Sequence, residues 1–517
     1  MRRIVFQLLL LLAPVLICGQ EQKSHNLEVG KNLDIFNQLY KNLDLMYVDT
    51  LDAEKVIGTG IKSMLRSLDP YTEYYSEQKE LKSFISGKYA GIGALIRYHL
   101  KKKTAVIDEP YEGTPAQKAG LKKGDIILSV DDSVMTDHDT KYVSEHLRGD
   151  AGTTFLLKIR RPSTGKIMKM KITRRQIQYA ATIPYYGLRE DSVGYISLSQ
   201  FTEGCSQEVR RAFVDLRNKG MRSLVLDLRG NGGGSEAEAV NLVNMFVPRG
   251  VTVVSNKGKI RPASHEYKTM MEPLDTLIPL AVLVNGESAS ASEITCGALQ
   301  DLHRATIVGT RTYGKGLVQV PIDLPYNTNV KITTSRYYLP SGRSIQGIGV
   351  QPDVEVMLDT IPNIAYYLSG SGVDSTEVMF DYVVDYITRH SSIAKPSEFS
   401  LSDADFAEFR QRVIESGFTY DPVSKKQLAE LVKTAKFEGY YDEAKDAFDA
   451  LEQKLKHDVG REVDKHAEVL RRVIGSDIVS AYYYQAGALE FGLRFDKQLR
   501  EALRVLKEKM EKNQSEL

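Results

Sequence analysis

The stretch N-G-E-S-A-S-A-S-E-I-T-C-G-A-L-Q-D, Asn285 to Asp301, decides how this chain is read. It follows the apolar run Leu280–Val284, which has the length and composition of a buried strand. The chain turns at Asn285-Gly286, and helix-forming residues run from about Ala291 to Leu302. Three serines, Ser288, Ser290 and Ser292, alternate across that turn. A serine at a helix start lies beside free backbone N–H groups and the positive end of the helix dipole, and both favour developing negative charge. That is how a nucleophile is displayed, and Ser290 sits at that start. Asp301 ends the same helix, about 16 Å away at ~1.5 Å per residue, so it reads as structural. His303 reads as a surface or packing residue. Which group would take the proton of Ser290 is left open by this stretch.

The surrounding sequence, from Ser192 to about Val356, alternates strands with helical segments, which is α/β organisation. The expected strands are Val193–Phe201, Ser223–Leu228, Leu280–Val284, Ala305–Val308 and Val330–Tyr338. Two glycine-rich stretches fall between them. L-R-G-N-G-G-G, Leu228 to Gly234, precedes a helix from Ser235. G-T-R-T-Y-G-K-G, Gly309 to Gly316, fits G-x-x-x-x-G-K but has Gly316 where a phosphate loop needs Ser or Thr, and a strand-like run follows it. Nucleotide binding is excluded on that ground. A lysine between two glycines can instead be enclosed, because glycine removes bulk and lets backbone approach. Enclosure would make lysine a base: its free pKa of about 10.4 must fall by roughly three units, a differential of about 4 kcal/mol that burial can supply; composition alone favours an exposed surface lysine instead.

Upstream, residues 88 to about 175 hold short β-rich runs, with Y-A-G-I-G-A at Tyr89–Ala94 and G-T-P-A-Q-K-A-G-L-K-K-G-D-I-I-L-S-V-D-D at Gly113–Asp132. These resemble a PDZ domain. The resemblance implies that the Gly91-Ile92-Gly93 turn aims N–H groups at a peptide's terminal carboxylate, while Ala94 to Tyr98 pair with the peptide as an added strand. Val143, Tyr142 and His146 would then flank the groove. The apolar lining from Ile92, Ala94, Ile96 and Val143 implies a preference for apolar tails.

With S-A-S-A-S-E-I…G-A-L-Q-D, G-K-G-x-V-Q downstream and R-Y-Y-L-P-S-G-R-S-I-Q-G-I-G-V-Q-P-D at Arg336–Asp353, the chain resembles the carboxyl-terminal processing peptidases over roughly residues 28 to 356. These are serine proteases with a Ser-Lys dyad and an inserted PDZ domain. The family places its lysine 25 positions after the nucleophile and a supporting glutamine four beyond that. Ser290, Lys315 and Gln319 have this spacing; Ser288 and Ser292 do not. The resemblance implies a crotonase/ClpP-like α/β protease core with an inserted PDZ domain, an N-terminal helical segment and a C-terminal helical extension. The backbone N–H of Ala291 is the natural oxyanion donor. Its partner comes from the Gly232-Gly233-Gly234 turn, with Gly233 preferred; the family usually has proline where Gly232 stands. Asp227 and Arg229 would order that turn rather than react. The implied activity is that of an endopeptidase acting on unfolded or tail-exposing proteins, with no metal and no cofactor. The rival from another class is a PDZ-bearing scaffold with an inactive core, and the intact Ser290/Lys315/Gln319 set argues against it.

At 517 residues the chain has room for about three domains. The expected division is a signal peptide over 1–19, an N-terminal helical region over 28–86, a PDZ domain over 87–178, a protease core over 190–358 and a helical extension over 359–517. Sixty-eight basic against 67 acidic residues leave no basic footprint for nucleic acid. Met1-Arg2-Arg3, an apolar run to Ile17 and a polar change after Cys18-Gly19 read as a cleaved leader, because the run falls short of the ~20 residues that span a bilayer. Export to a bacterial periplasm follows. Acylation of Cys18 is the lesser alternative, since Ile17 is larger than lipoprotein sites prefer. Cys205 and Cys296 make no disulfide framework and read as buried thiols. Over residues 27–84, Ile35, Leu39, Leu43 and Met46 recur as one buried helix face would require. In the extension, Phe406, Phe409, Val413 and Ile414, then Leu428, Leu431, Val432 and Ala435, have helical spacing. They read as core or packing surface, with homodimer formation or adaptor docking as the alternative role.

Overall fold

Strands Val193–Ser197, Ser223–Asp227, Leu280–Val284, Thr306–Gly309 and Val354–Glu355 pair in parallel, and Tyr186–Leu188 adds an antiparallel edge. The chain is described here from a computed structural model covering residues 25–76, 88–178, 182–370, 376–420, 422–455 and 458–515. The leader, including Cys18, lies outside the described residues. Two compact units divide the chain: residues 1–76 with 319–333, and residues 77–318 with 334–517.

In the larger unit, Ser223–Asp227 and Leu280–Val284 are buried at every position, as strands covered on both faces must be. Alternation sorts their side chains. Leu224, Leu226, Leu280, Val282 and Val284 enter one cluster with helices Cys205–Asn218, Glu236–Asn244 and Ala291–Asp301. Val225, Ala281 and Leu283 point to the other face, where Leu499, Ala502 and Leu506 of the last helix, Lys497–Ser515, cover them. The first parallel strand ends at Ser197, not at Phe201 as its composition suggested. From there the backbone is committed to the glycine turn: Leu198 N–H donates to Asp227 O, and Phe201 N–H to Gly233 O.

Residues 88–178 form a sheet ordered from edge strand Ala94–His99 through Thr104–Pro110, Ile126–Val130 and Thr154–Arg160 to Ile167–Thr173, with helix Thr140–Leu147 packed beside the edge strand. The C-terminal extension has a core of its own, with Phe406, Phe409, Val413, Leu470 and Ile474 buried. Ile414 and Leu431, expected on that packing surface, are exposed. Helix Val378–Arg389 also grips the β-domain. Phe380 and Val384 cluster with Val106 and Ile126, and around them Arg97 pairs with Glu377 at 2.7 Å and His99 and Lys102 meet Asp381 at 3.0 and 2.9 Å. Cys205 and Cys296 are buried free thiols.

The smaller unit carries a helix over residues 25–46, helix Ala53–Arg66 and strand Glu73–Tyr75, which pairs antiparallel with 329–331. Two expectations fail here. The segment to Phe84 is not helical throughout, because Glu73–Tyr75 is a strand, and its final residues lie outside those described. The face of Ile35, Leu39, Leu43 and Met46 is exposed, between 36% and 79%, rather than buried. Helical spacing creates an apolar face, and burial requires a partner surface that this unit does not supply among its described residues.

Candidate active site

The strand Leu280–Val284 delivers the chain to a sharp turn. Ser288 is fully buried, its Oγ donating to Leu228 O at 2.8 Å and accepting from the Asn285 N–H at 3.0 Å. Ser292 is also buried, its Oγ donating to Asn231 O at 2.8 Å. Both hydroxyls are spent on holding the turn. Ser290, between them, is half-buried and takes φ 57°, ψ −114°, immediately before helix Ala291–Asp301. A non-glycine residue held at positive φ costs roughly 1–3 kcal/mol, which the surroundings must offset.

They do so through Glu293. This carboxylate is fully buried, and its Oε2 accepts the N–H of Ser290 at 2.9 Å and the N–H of Lys315 at 2.8 Å. Its Oε1 accepts the Gly314 N–H at 2.7 Å and the Thr312 hydroxyl at 2.6 Å. Burial pushes the Glu293 carboxyl up from its ordinary value, and these donors pull against that shift. The Tyr337 hydroxyl forms a second bridge, donating to Ser290 O at 3.2 Å and to Lys315 O. The serine and the glycine-flanked lysine, 25 residues apart in the chain, thus share two side-chain anchors. Tyr337 is itself held by its N–H to Gly316 O, and Gly316 N–H donates to Gln346 Oε1. Gln319 belongs to the smaller unit, where its Nε2 donates to Thr333 Oγ1 at 3.1 Å.

The glycine turn packs against the serine turn. Gly233 has φ 98°, and a Cβ there would sit 2.7 Å from both Ala289 O and Ser290 Cβ, so only glycine fits. Asn231, fully buried, ties the two turns. Its carbonyl accepts the Ala289 N–H and the Ser292 hydroxyl, and its Nδ2 donates to Leu198 O. Its Oδ1 accepts the Gly233 N–H at 2.9 Å, so that amide is engaged in this conformation. Among the described residues, nothing accepts from the Gly232 or Ala291 N–H. Asp227 and Arg229 stand at the foot of the turn, with Arg229 Nε on Asp227 Oδ1 at 3.0 Å. Asp301 pairs with Arg343 at 2.8 Å and caps Ser341, and His303 is exposed.

In the β-domain, Gly91 ends strand Lys88–Gly91, paired with Arg175–Gln178. Ile92 and Val143 are buried in the domain's core, while Ala94 and Ile96 are half-buried against it. His138, Tyr142 and His146 stack in sequence along helix Thr140–Leu147 and the turn before it. Sequence reasoning passed over three residues of this candidate site: Asn231, Glu293 and Tyr337. Glu293 had a visible signal, the S-x-x-E spacing of a capping box from Ser290. Asn231 and Tyr337 had none, because the partners that tie them to the serine turn are distant in sequence.

Comparison with known proteins gives this geometry its class. Residues 192–356 match Peptidase family S41, residues 106–161 a PDZ domain, and residues 364–506 the C-terminal helical domain of probable PDZ-proteases. The fold and the family matches define a serine-type peptidase. A carboxy-terminal-processing protease of Bartonella bacilliformis is 35% identical over 354 residues, covering 67% of this chain and 79% of that protein. A probable CtpA-like serine protease of Staphylococcus epidermidis is 31% identical over 376 residues, or 70% and 74%. Among solved structures, a photosystem II D1 C-terminal processing protease shares 30% identity over 63% of this chain and 88% of its own, with TM-score 0.37. The chain belongs to the carboxy-terminal-processing protease family.

Proposed function

We propose that this protein is an exported endopeptidase that captures free C-terminal tails and cuts peptide bonds with a Ser290–Lys315 dyad. The observation that carries the dyad is the shared anchoring of Ser290 and Lys315 on Glu293 and Tyr337. Two segments that only need to fold do not require a common buried carboxylate. It does suit two groups that must exchange a proton, because it fixes their separation and misplacement by about 1 Å can cost ~10²-fold in rate. Neutral Lys315 takes the proton from Ser290 Oγ as it attacks the peptide carbonyl. The ammonium then protonates the leaving amine, and water attacks the acyl-enzyme with the lysine again as base. The Ala291 N–H is one oxyanion donor. The glycine turn supplies the other, Gly233 once its amide leaves Asn231, with the Gly232 amide beside it. The resemblance to the family implies for Gln319 the role of supporting Lys315.

Tail capture rests on the PDZ match and on the free edge of strand Ala94–His99, which pairs on one side only among the described strands. Export rests on the leader; the mature chain should begin near Gln20, and diacylglycerol on Cys18 by mass spectrometry would replace that reading with a membrane-anchored one. One experiment tests activity and capture together: an unfolded protein substrate, as free acid and as C-terminal amide, is incubated with wild type, Ser290→Ala and Lys315→Ala. Both variants should leave it intact, and amidation should slow the wild type strongly below saturation. Cleavage by Ser290→Ala would refute the dyad, and equal rates on acid and amide would refute tail reading.

A further inference from the structure

Arg229 opens the turn that packs on Ser290, and its guanidinium is held from two directions. One is local: Asp227 accepts from its backbone N–H at 2.9 Å, from Nε at 3.0 Å and from Nη2 at 2.5 Å, and also receives the Tyr195 hydroxyl at 2.6 Å. The other comes from the far end of the chain. Asp496 Oδ2 accepts from Nη2 at 2.6 Å, and Gln498 Oε1 from Nη1 at 3.0 Å. The cluster is largely dry, with side-chain exposures of 16% for Arg229, 7% for Asp227 and 11% for Asp496. Asp227 alone would balance the charge of Arg229 with a bidentate grip. Asp496 takes a second bond from Nη2, Gln498 takes the one from Nη1, which Asp227 does not reach, and together they fix the plane of the guanidinium.

We propose that Asp496, from the C-terminal helical extension, is a positioning residue for catalysis: it holds Arg229, and through Arg229 the glycine turn that faces Ser290. The inference rests on the serine-peptidase reading of that turn. The path is short. Arg229 leads through Gly230, whose N–H is fixed on Asn285 Oδ1 at 3.0 Å, to Asn231, which binds both serine-turn segments, and to Gly233 against Ser290 Cβ. Asp496 is itself firmly set. Its Oδ1 caps the last helix through the Leu499 N–H at 2.9 Å, and that helix buries Leu499, Ala502 and Leu506 on the catalytic sheet. Fully buried Gln498 adds a bond from Nε2 to Val356 O at 2.7 Å. An extension serving only as an adaptor platform would be complete with its own separate core. Here it also seats a carboxylate at the carboxyl end of the strand Ser223–Asp227, the end of a parallel sheet at which α/β proteins build their sites.

The test uses full-length protein and a saturable tail-bearing substrate. Asp496→Asn keeps the size and a capping oxygen but weakens the hold on Arg229. The expected result is a tenfold or greater fall in kcat, with KM within twofold of wild type, because tail capture and cleft are untouched. Leu506→Ala is the control: it removes apolar packing of the same last helix on the sheet and leaves the partners of Arg229 in place, so it should lower the melting temperature and retain kcat below its transition. An unchanged kcat in Asp496→Asn, or a rise in KM with constant kcat, overturns the proposal. So does an equal kcat loss in Leu506→Ala, which would reduce the effect to general loosening. Ser290→Ala serves as the blank, and residual cleavage there would instead sink the underlying dyad reading.

Discussion

Replacing Glu293 by glutamine asks whether one buried carboxylate sets the distance between Ser290 and Lys315. The carboxylate accepts from four donors, two on each oxygen. Glutamine keeps one accepting oxygen and presents an NH₂ to the remaining two donors, whichever way it turns. The Thr312 hydroxyl can turn and accept from the NH₂, so one buried donor is unsatisfied in one orientation and two in the other, at about 1–3 kcal/mol each, for a loss of roughly 1–6 kcal/mol. If the NH₂ takes the place of Oε2, the N–H groups of Ser290 and Lys315 are the ones pushed apart. If it takes the place of Oε1, the Gly314 N–H is displaced and carries Lys315 with it. Either way a shift near 1 Å should lower kcat by ~10²-fold. The assay pairs urea unfolding followed by circular dichroism, since the chain has no tryptophan, with cleavage of a tail-bearing substrate under conditions where wild type and variant are both folded. A variant that unfolds within about 1 kcal/mol of wild type and cuts at the same rate would refute the reasoning.

Ser288→Ala removes a buried hydroxyl that bonds Leu228 O and the Asn285 N–H, so stability should fall by about 1–3 kcal/mol while cleavage persists; an inactive Ser288→Ala beside a Ser290→Ala that still cuts would move the nucleophile to Ser288. Burial would raise the Asp381 carboxyl, but the bonds from His99 and Lys102 outweigh it and hold it at about 2. A carboxyl depressed in the folded state contributes stability that is present above its ordinary value of about 3.9 and lost as pH falls through about 2. Wild type should therefore show an acid-induced loosening of the PDZ region in that window, measurable by hydrogen exchange of strand Ala94–His99. Asp381→Asn should be loosened already at pH 6 and change little on acidification; identical acid profiles for the two proteins would exclude this linkage.

The sequence by itself determined what short spacings and local composition control. Continuous apolar runs such as Leu280–Val284 mark strands buried on both sides, and Asn285-Gly286 followed by helix formers marks the strand-to-helix turn that displays Ser290. The motifs at Tyr89–Ala94 and Gly113–Asp132 were enough to carry the resemblance to a PDZ domain, because they are short and local. Only the tertiary structure decided the partners. The helix over residues 25–46 has the right periodicity for a buried face and leaves it exposed, because periodicity specifies a face and not what covers it. Glu293 lies three residues from Ser290, yet its bonds to Thr312, Gly314 and Lys315 depend on a loop that folding brings to it. Arg229 and Asp496 are separated by 267 positions, and nothing in either neighbourhood announces the other. A hydrogen bond is made at about 3 Å whatever the chain length between its ends, and that length is all a linear sequence displays.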